Sequence, residues 1–139
     1  MSLSPDLMQQ LLQASLAARV HSHSPYSGYA VGAAVLDEQG RIHVGANMEN
    51  AAYPQGWCAE ATALSAMIMA GGRRAQAVLV TGPGPEIITP CGGCRQKLRE
   101  FAGQELVIIA SDPSGIRQQW TLGELLPFSF GPEHLSRKA

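Results

Sequence analysis

Cys58-Ala59-Glu60-Ala61-Thr62-Ala63-Leu64-Ser65-Ala66-Met67-Ile68-Met69-Ala70, followed by Gly71 and Gly72, is the stretch on which the fold turns. It is small or apolar around its whole circumference and rich in helix formers, so it predicts a buried helix over Cys58 to Ala70 with a glycine stop. Downstream, Ala77 to Thr81 reads as a short apolar strand. Gly82 to Pro90 carries Gly82, Pro83, Gly84, Pro85 and Pro90, which predicts a loop with a short extended piece at Ile87 to Thr89. A helix should begin near Cys91 and run through Arg95, Leu98 and Phe101 to Gly103, ahead of a buried strand at Leu106 to Ala110. Thr121 and Glu124 have capping-box spacing before Leu125 and Leu126, and Pro127 stops that short helix. Upstream, Tyr29 to Leu36 and Arg41 to Ala46 flank an Asp37 to Gly40 turn and form a hairpin, after a polar loop at His21 to Gly28. The chain opens with an amphipathic helix over Ser4 to Val20, capped by Ser4, with Pro5 at its first position and Leu7, Met8, Leu11, Leu12 and Leu16 at helical spacing. Helix, hairpin, helix, strand, helix, strand predicts an α/β fold: a central mixed sheet covered by helices on both faces.

A length of 139 residues with 45% hydrophobic composition suits one domain over residues 1–139 with little room for a second. The formal net charge is -1 and the pI about 6.4, so no broad cationic surface is available for a phosphate backbone. Arg73, Arg74, Arg95, Lys97 and Arg99 form no basic stripe, which argues against an RNA or DNA editor. Met1 to Leu12 resembles neither a signal nor a transit peptide, and no apolar run approaches the roughly 20 residues of a membrane span. A cytoplasmic location is therefore expected, where three cysteines read as reduced, metal-bound or catalytic rather than disulfide-paired.

Zinc sites are built from thiolates and imidazoles, and a catalytic zinc keeps three protein ligands with the fourth position left for water. Cys91-Gly92-Gly93-Cys94 places two thiols within about one helical turn, and Cys58 comes from a separate helix start. Both helix N-termini would turn positive partial charge on the sulfurs and favour thiolates. The competing reading is three small apolar core residues, against which stands the CxxC directly after Pro90 at a helix start. Glu60 follows Cys58 by two positions. Alone it reads as a first-turn carboxylate complementing the helix dipole; beside three candidate ligands it can reach a metal-bound water and carry its proton.

Cys58-Ala59-Glu60 followed by Pro90-Cys91-Gly92-Gly93-Cys94 matches the established zinc-deaminase signature, with Cys in place of its His. With Pro25-Tyr26-Ser27, Val31-Gly32-Ala33-Ala34, Asn47-Met48-Glu49-Asn50-Ala51, Thr89, Arg95-Gln96 and Glu124-Leu125-Leu126-Pro127, the chain resembles the small, homotetrameric class of cytidine deaminases over about residues 14–135. The resemblance implies a three-layer α/β/α fold with a central mixed five-stranded sheet. It implies one Zn²⁺ per chain on Cys58, Cys91 and Cys94, with Glu60 as general base and then acid, and release of ammonia from cytidine or 2'-deoxycytidine. A small nucleoside partner, no nucleic acid, no membrane and a homotetramer are the partners expected. Asn47 and Glu49 would bind the ribose hydroxyls, a task suited to a paired amide and carboxylate, although a polar strand end explains them equally on the residues alone. Tyr29 would stand beside the pyrimidine ring, or be a core aromatic, or both. Backbone near Ala59 and Thr89 would meet the base edge. Phe130 would enter a neighbouring subunit's pocket, its alternative being a buried C-terminal aromatic.

Two positions depart from the family pattern. Ala61 stands where the family commonly has an Arg that offsets the thiolates, and Trp57 is bulkier than the usual aliphatic residue before the first ligand. With Ala61 there, charge compensation is expected of Arg95, the one cation adjacent to a cysteine in sequence, and of the two helix N-termini, whereas Arg117 is expected in a loop. Rival readings are a deaminase of another aminated nucleoside or of a blasticidin-like antibiotic, and a zinc-stapled binding protein without catalysis. Asn47 and Glu49 favour a plain riboside over the first, and Glu60 argues against the second.

Overall fold

Side-chain alternation along three hydrophobic strands decides how the layers stack, because successive residues of a strand point to opposite faces. In the computed structural model, which describes residues 3–136, the strands are β1 (Gly32–Asp37), β2 (Ile42–Ala46), β3 (Ala75–Thr81), β4 (Val107–Asp112) and β5 (Gly115–Thr121). They form one mixed sheet in the order β2-β1-β3-β4-β5, with β3 and β4 parallel and the other neighbours antiparallel. Ala34, Leu36, Ala77, Leu79, Val107 and Ile109 face one side, where Leu11 and Leu12 of α1 (Pro5–Arg19) cover them. Ala33, Val35, Val78, Val80 and Ile108 face the other, against Ala59, Ala63, Leu64 and Met67 of α2 (Ala59–Met69) and Leu98 of α3 (Gly92–Phe101). The result is the expected three-layer α/β/α fold. Two short helices, α4 (Leu122–Leu125) and α5 (Pro132–Ser136), end the described chain.

Local chemistry explains the boundaries. Ser4 caps α1 by accepting from the Leu7 N–H at 3.1 Å, with Pro5 in the first turn. Both halves of the capping box form at α4: Thr121 Oγ1 accepts from the Glu124 N–H, and Glu124 accepts from the Thr121 N–H at 2.8 Å. A buried hydroxyl chain crosses the layers, Ser15 Oγ donating to Thr81 Oγ1 at 2.8 Å, with Ser111 Oγ 2.8 Å further on.

Three expectations need correction. The first strand begins at Gly32 rather than Tyr29, because the Asn47 side chain takes over the preceding backbone: its Oδ1 accepts from the Val31 N–H and its Nδ2 donates to the Tyr29 carbonyl. The strand β5 is missing from the pattern reading; its Arg117, Gln118 and Gln119 are exposed, so this edge strand lacks a hydrophobic signal. Arg117 therefore lies in β5 and not in a loop, and its Nη1 pairs with Asp112 Oδ2 at 2.6 Å. The extended piece at Ile87 to Thr89 joins no sheet. Of the expected span 1–139, residues 1, 2 and 137–139 lie outside the described residues.

One contact fixes how closely α2 sits on the sheet. A Cβ added to Gly45 of β2 would lie 2.5 Å from the Ala63 nitrogen and 2.6 Å from the Ala59 carbonyl oxygen, both backbone atoms of α2 that cannot turn aside. The helix that carries Cys58 at its start thus rests on a bare backbone. Gly45→Ala should lower unfolding free energy by about 2 kcal/mol in urea titration, the usual cost of overpacking. An unchanged midpoint would show that α2 can shift freely, and that its seat does not set the position of the site.

Candidate active site

Two helices begin at one point, and each begins with a cysteine. Cys58 is the N-cap of α2 and Cys91 the N-cap of α3, both in extended conformation, and Cys94 follows in the first turn of α3. A thiol forms no side-chain cap at either end. The unpaired N–H groups and positive ends of both helix dipoles are therefore left to act on the sulfurs. The three Sγ atoms lie within 4.8 Å of one another, and Cys58 Sγ is 3.9 Å from Cys91 Sγ. A tetrahedral zinc with bonds of about 2.3 Å separates its sulfurs by about 3.8 Å, which the Cys58–Cys91 pair matches, and the three together are close enough to share one metal. Cys94 is buried, whereas Cys58 and Cys91 are exposed. Without metal, the hydrogen bond from Cys94, which outweighs burial, with help from Cys91 and Lys97, holds the Cys58 thiol down at about 6. Cys94 is pushed strongly up by the same hydrogen bond, by burial and by the neighbouring charges of Glu60, Cys58 and Cys91. One thiolate and its proton-bearing partner are thus already in place, and binding zinc displaces the remaining protons.

Glu60 is 5% exposed, the second residue of α2 and two positions after Cys58. Burial pushes its carboxyl up to about 7; its own backbone N–H pulls it down, the Cys58 thiolate adds to the rise and Lys97 opposes it. A carboxyl poised near neutrality is suited both to accept and to give a proton. Cys58, Ala59, Glu60, Thr89 and Cys91 line one cavity of about 170 Å³ together with Asn47, and Val31, Val80 and Ile88 complete its walls. The apolar three were not singled out in the sequence. Ile88 had a signal, as the apolar residue directly before Thr89-Pro90-Cys91.

The remaining candidates sit differently. Glu49 is held by the Tyr26 N–H at 2.9 Å, the Ser27 N–H at 3.1 Å and the Ser27 hydroxyl. The Ser27 bond leads in holding its carboxyl below the usual range. It lines a separate cavity of about 380 Å³ with Tyr26, Ser27, Asn50 and Tyr53, so the Pro25-Tyr26-Ser27 motif serves to orient this carboxylate. Asn47 belongs to the catalytic cavity and to the backbone at once, also accepting from Ser22 Oγ. Tyr29 is partly exposed and does not line that cavity; its hydroxyl lies beside Gly82, near Ile88. Phe130 lies in the C-terminal segment, more than half exposed and stacked on His134 at 5.1 Å, outside this chain's own cavity. Arg95 spends its guanidinium on the Pro90 carbonyl, the Leu125 carbonyl and Thr89 Oγ1, each at 2.7 Å, and so ties the Thr89-Pro90 loop to α3 and α4. A cation that favours the charged forms of Cys58 and Glu60 is Lys97, which the sequence reading named only among the five that form no basic stripe.

A cluster of three thiols, two of which line one small cavity with a buried carboxyl, defines a metal-dependent hydrolytic centre. The family described as cytidine and deoxycytidylate deaminase zinc-binding region matches residues 5–110. Cytidine deaminase of Sporosarcina psychrophila is 36% identical over 132 residues, covering 95% of this chain and 97% of its own. That of Mycobacterium tuberculosis is 38% identical over 135 residues, covering 96% and 98%. The crystal structure of cytidine deaminase from Burkholderia pseudomallei superposes with a TM-score of 0.81 at 37% identity, covering 88% of this chain and 98% of that one. The chain belongs to the cytidine and deoxycytidylate deaminase family, and its cysteine cluster fits one Zn²⁺ per chain.

Replacing Cys58, Cys91 or Cys94 singly by Ala should each reduce zinc from one equivalent to a small fraction by elemental analysis, since two thiolates rarely hold a catalytic zinc. A variant that keeps its full equivalent would remove that residue from the site.

Proposed function

We propose that this chain hydrolyses cytidine and 2'-deoxycytidine to uridine and 2'-deoxyuridine with release of ammonia, as a zinc-dependent cytidine deaminase. One observation carries the reading: the buried Glu60 shares a single cavity with Cys58 and Cys91. When bound at the three thiolates, zinc supplies the Lewis acidity that makes water a competent nucleophile near neutral pH. Glu60 takes a proton from the attacking water and delivers it to ring N3 as oxygen adds at C4, then takes the proton of the new C4 hydroxyl and passes it to the departing amine. Water adds, ammonia leaves and the carboxylate is restored, so its protonation balances over the cycle. The walls formed by Val31, Val80 and Ile88 limit water around the transfer and suit a flat ring.

Asn47 and Glu49 are proposed to receive the ribose, backbone at Ala59 and Thr89 the base edge, and Tyr29 the ring side of the entrance. Support for Glu49 is that its carboxyl is held below the usual range and pre-oriented by Tyr26 and Ser27, two positions along the chain from Asn47 of the catalytic cavity. A plain riboside is favoured over a blasticidin-like substrate by that carboxylate, which suits hydroxyl donors. Residues 1–139 are proposed to act as one domain within a homotetramer, Phe130 reaching the pocket of a neighbouring copy. The apolar surface of the C-terminal segment, where Phe128 is fully exposed and Phe130 more than half, supports assembly. Among the described residues no helix is long and apolar enough to cross a membrane. A cytoplasmic place in pyrimidine salvage completes the proposal, in keeping with three free cysteines.

Glu60→Gln should keep a full equivalent of zinc and lose turnover of cytidine by roughly three orders of magnitude or more, because the amide fills the same space and moves no proton. Turnover within about tenfold of the parent, which is only about 1.4 kcal/mol, would sink the assignment of Glu60 as proton carrier.

A further inference from the structure

Three thiolates around one Zn²⁺ leave a surplus negative charge, and a cluster half open to solvent holds its metal more firmly when a cation stands nearby. The helix α2 contains no Lys or Arg, so any side-chain cation near the cluster must come from elsewhere. On α3 there are three. Arg95 keeps its charge, with its guanidinium turned to the Pro90 and Leu125 carbonyls and to Thr89 Oγ1. Arg99 is consumed by Ser129 and by Glu133. Lys97, one turn beyond Cys94, has no ion pair among the described residues, although Glu100 lies one turn further along the same groove. Its Nζ instead sits 5.1 Å from the centroid of the Trp57 ring.

We propose that Lys97, seated on the ring of Trp57, is the cation that offsets the surplus charge of the thiolate cluster, a positioning residue for the metal that touches no substrate. Trp57 is the residue immediately before Cys58, and its backbone is fixed by two hydrogen bonds to Met48, at 2.8 and 2.9 Å. The indole therefore projects from a fixed backbone beside the first ligand. Its electron-rich face holds an ammonium without supplying the full counter-charge that would offset it. Space for this arrangement comes from Ala61: a groove of about 350 Å³ between α2 and α3 is lined by Trp57, Ala61, Leu64, Lys97, Glu100 and Phe101. A longer side chain at position 61 would occupy it. The ammonium also lies 3.7 Å from where a Cβ on Gly93 would stand, inside the Cys91-Gly92-Gly93-Cys94 turn itself. The bulky Trp57, the small Ala61 and Lys97 thus form one device.

The inference rests on the zinc reading above, and the test separates the two. Zinc-loaded protein is mixed with excess colorimetric chelator and the rate of metal release is followed at low and at high salt. Lys97→Met should release zinc about fivefold faster at low salt, less than the tenfold of a full pKa unit because Lys97 is exposed and screened. The excess should shrink toward unity at about 1 M salt, where the screening length falls to about 3 Å. Lys97→Arg should restore the parental rate, Trp57→Leu should fall between parent and Lys97→Met, and Arg74→Met, a distant charge removal, should match the parent. Equal release by Lys97→Met and parent at low salt overturns the proposal. So does an acceleration that salt leaves unchanged, which would be lost packing, or a failure of Arg to rescue. Parent protein that holds no zinc overturns the zinc reading and this inference together.

Discussion

Everything in the site depends on two helices starting within reach of one metal ion. A thiolate centre tolerates little error in sulfur spacing, so α2 and α3 must be placed to within a fraction of an ångström although they are distant in sequence. Packing supplies that accuracy. The Ala-rich face of α2 lies on bare backbone at Gly45 and on Ala33 and Val35, and α3 is anchored by the fully buried Leu98. The parallel pairing of β3 with β4 carries the chain across the same face of the sheet, so that α3 lies beside α2. Arg95 then clamps the Thr89-Pro90 approach to α3 with three hydrogen bonds, which fixes Cys91 as a helix cap.

The same placement sets the electrostatics. Thiol clustering and sheet packing act in opposite directions on neighbouring groups. The thiol of Cys58 is drawn down by its hydrogen bond with Cys94, while the carboxyl of Glu60, two residues on, is pushed up by burial. A ligand that ionises readily and a carboxyl balanced between its two states are both needed for a proton to pass from water to substrate. Neither would follow from composition, because one arises from where two helices meet and the other from how deeply α2 is packed.

Much of this was legible in the residues. Cys58, Cys91, Cys94 and Glu60 carry their chemistry in identity and spacing, and alternation along β1, β3 and β4 carries the layer order. What escaped did so for physical reasons. The edge strand β5 presents Arg117, Gln118 and Gln119 to solvent, so its signal lies in hydrogen bonds to β4 rather than in hydrophobicity. Arg95 drew notice by adjacency to Cys94, yet helical geometry turns it to the carbonyls of Pro90 and Leu125. Lys97 meets Trp57 only because α2 and α3 are neighbours in space. Asn47 was read as a binding group or as part of a strand end, and its side chain both lines the cavity and replaces ladder bonds at Tyr29 and Val31.

The central claim is that a thiolate-held zinc and Glu60 remove the amino group of a cytosine riboside. It is tested most directly by ammonia release from purified, zinc-loaded protein with cytidine, 2'-deoxycytidine, cytosine, adenosine and blasticidin S supplied separately. The account predicts stoichiometric ammonia from cytidine and 2'-deoxycytidine, with kcat/KM lower by about a hundredfold or more for free cytosine, which forgoes the ribose hydrogen bonds worth about 1 to 3 kcal/mol each. No ammonia from either riboside, or blasticidin S or adenosine as the preferred substrate, would contradict it.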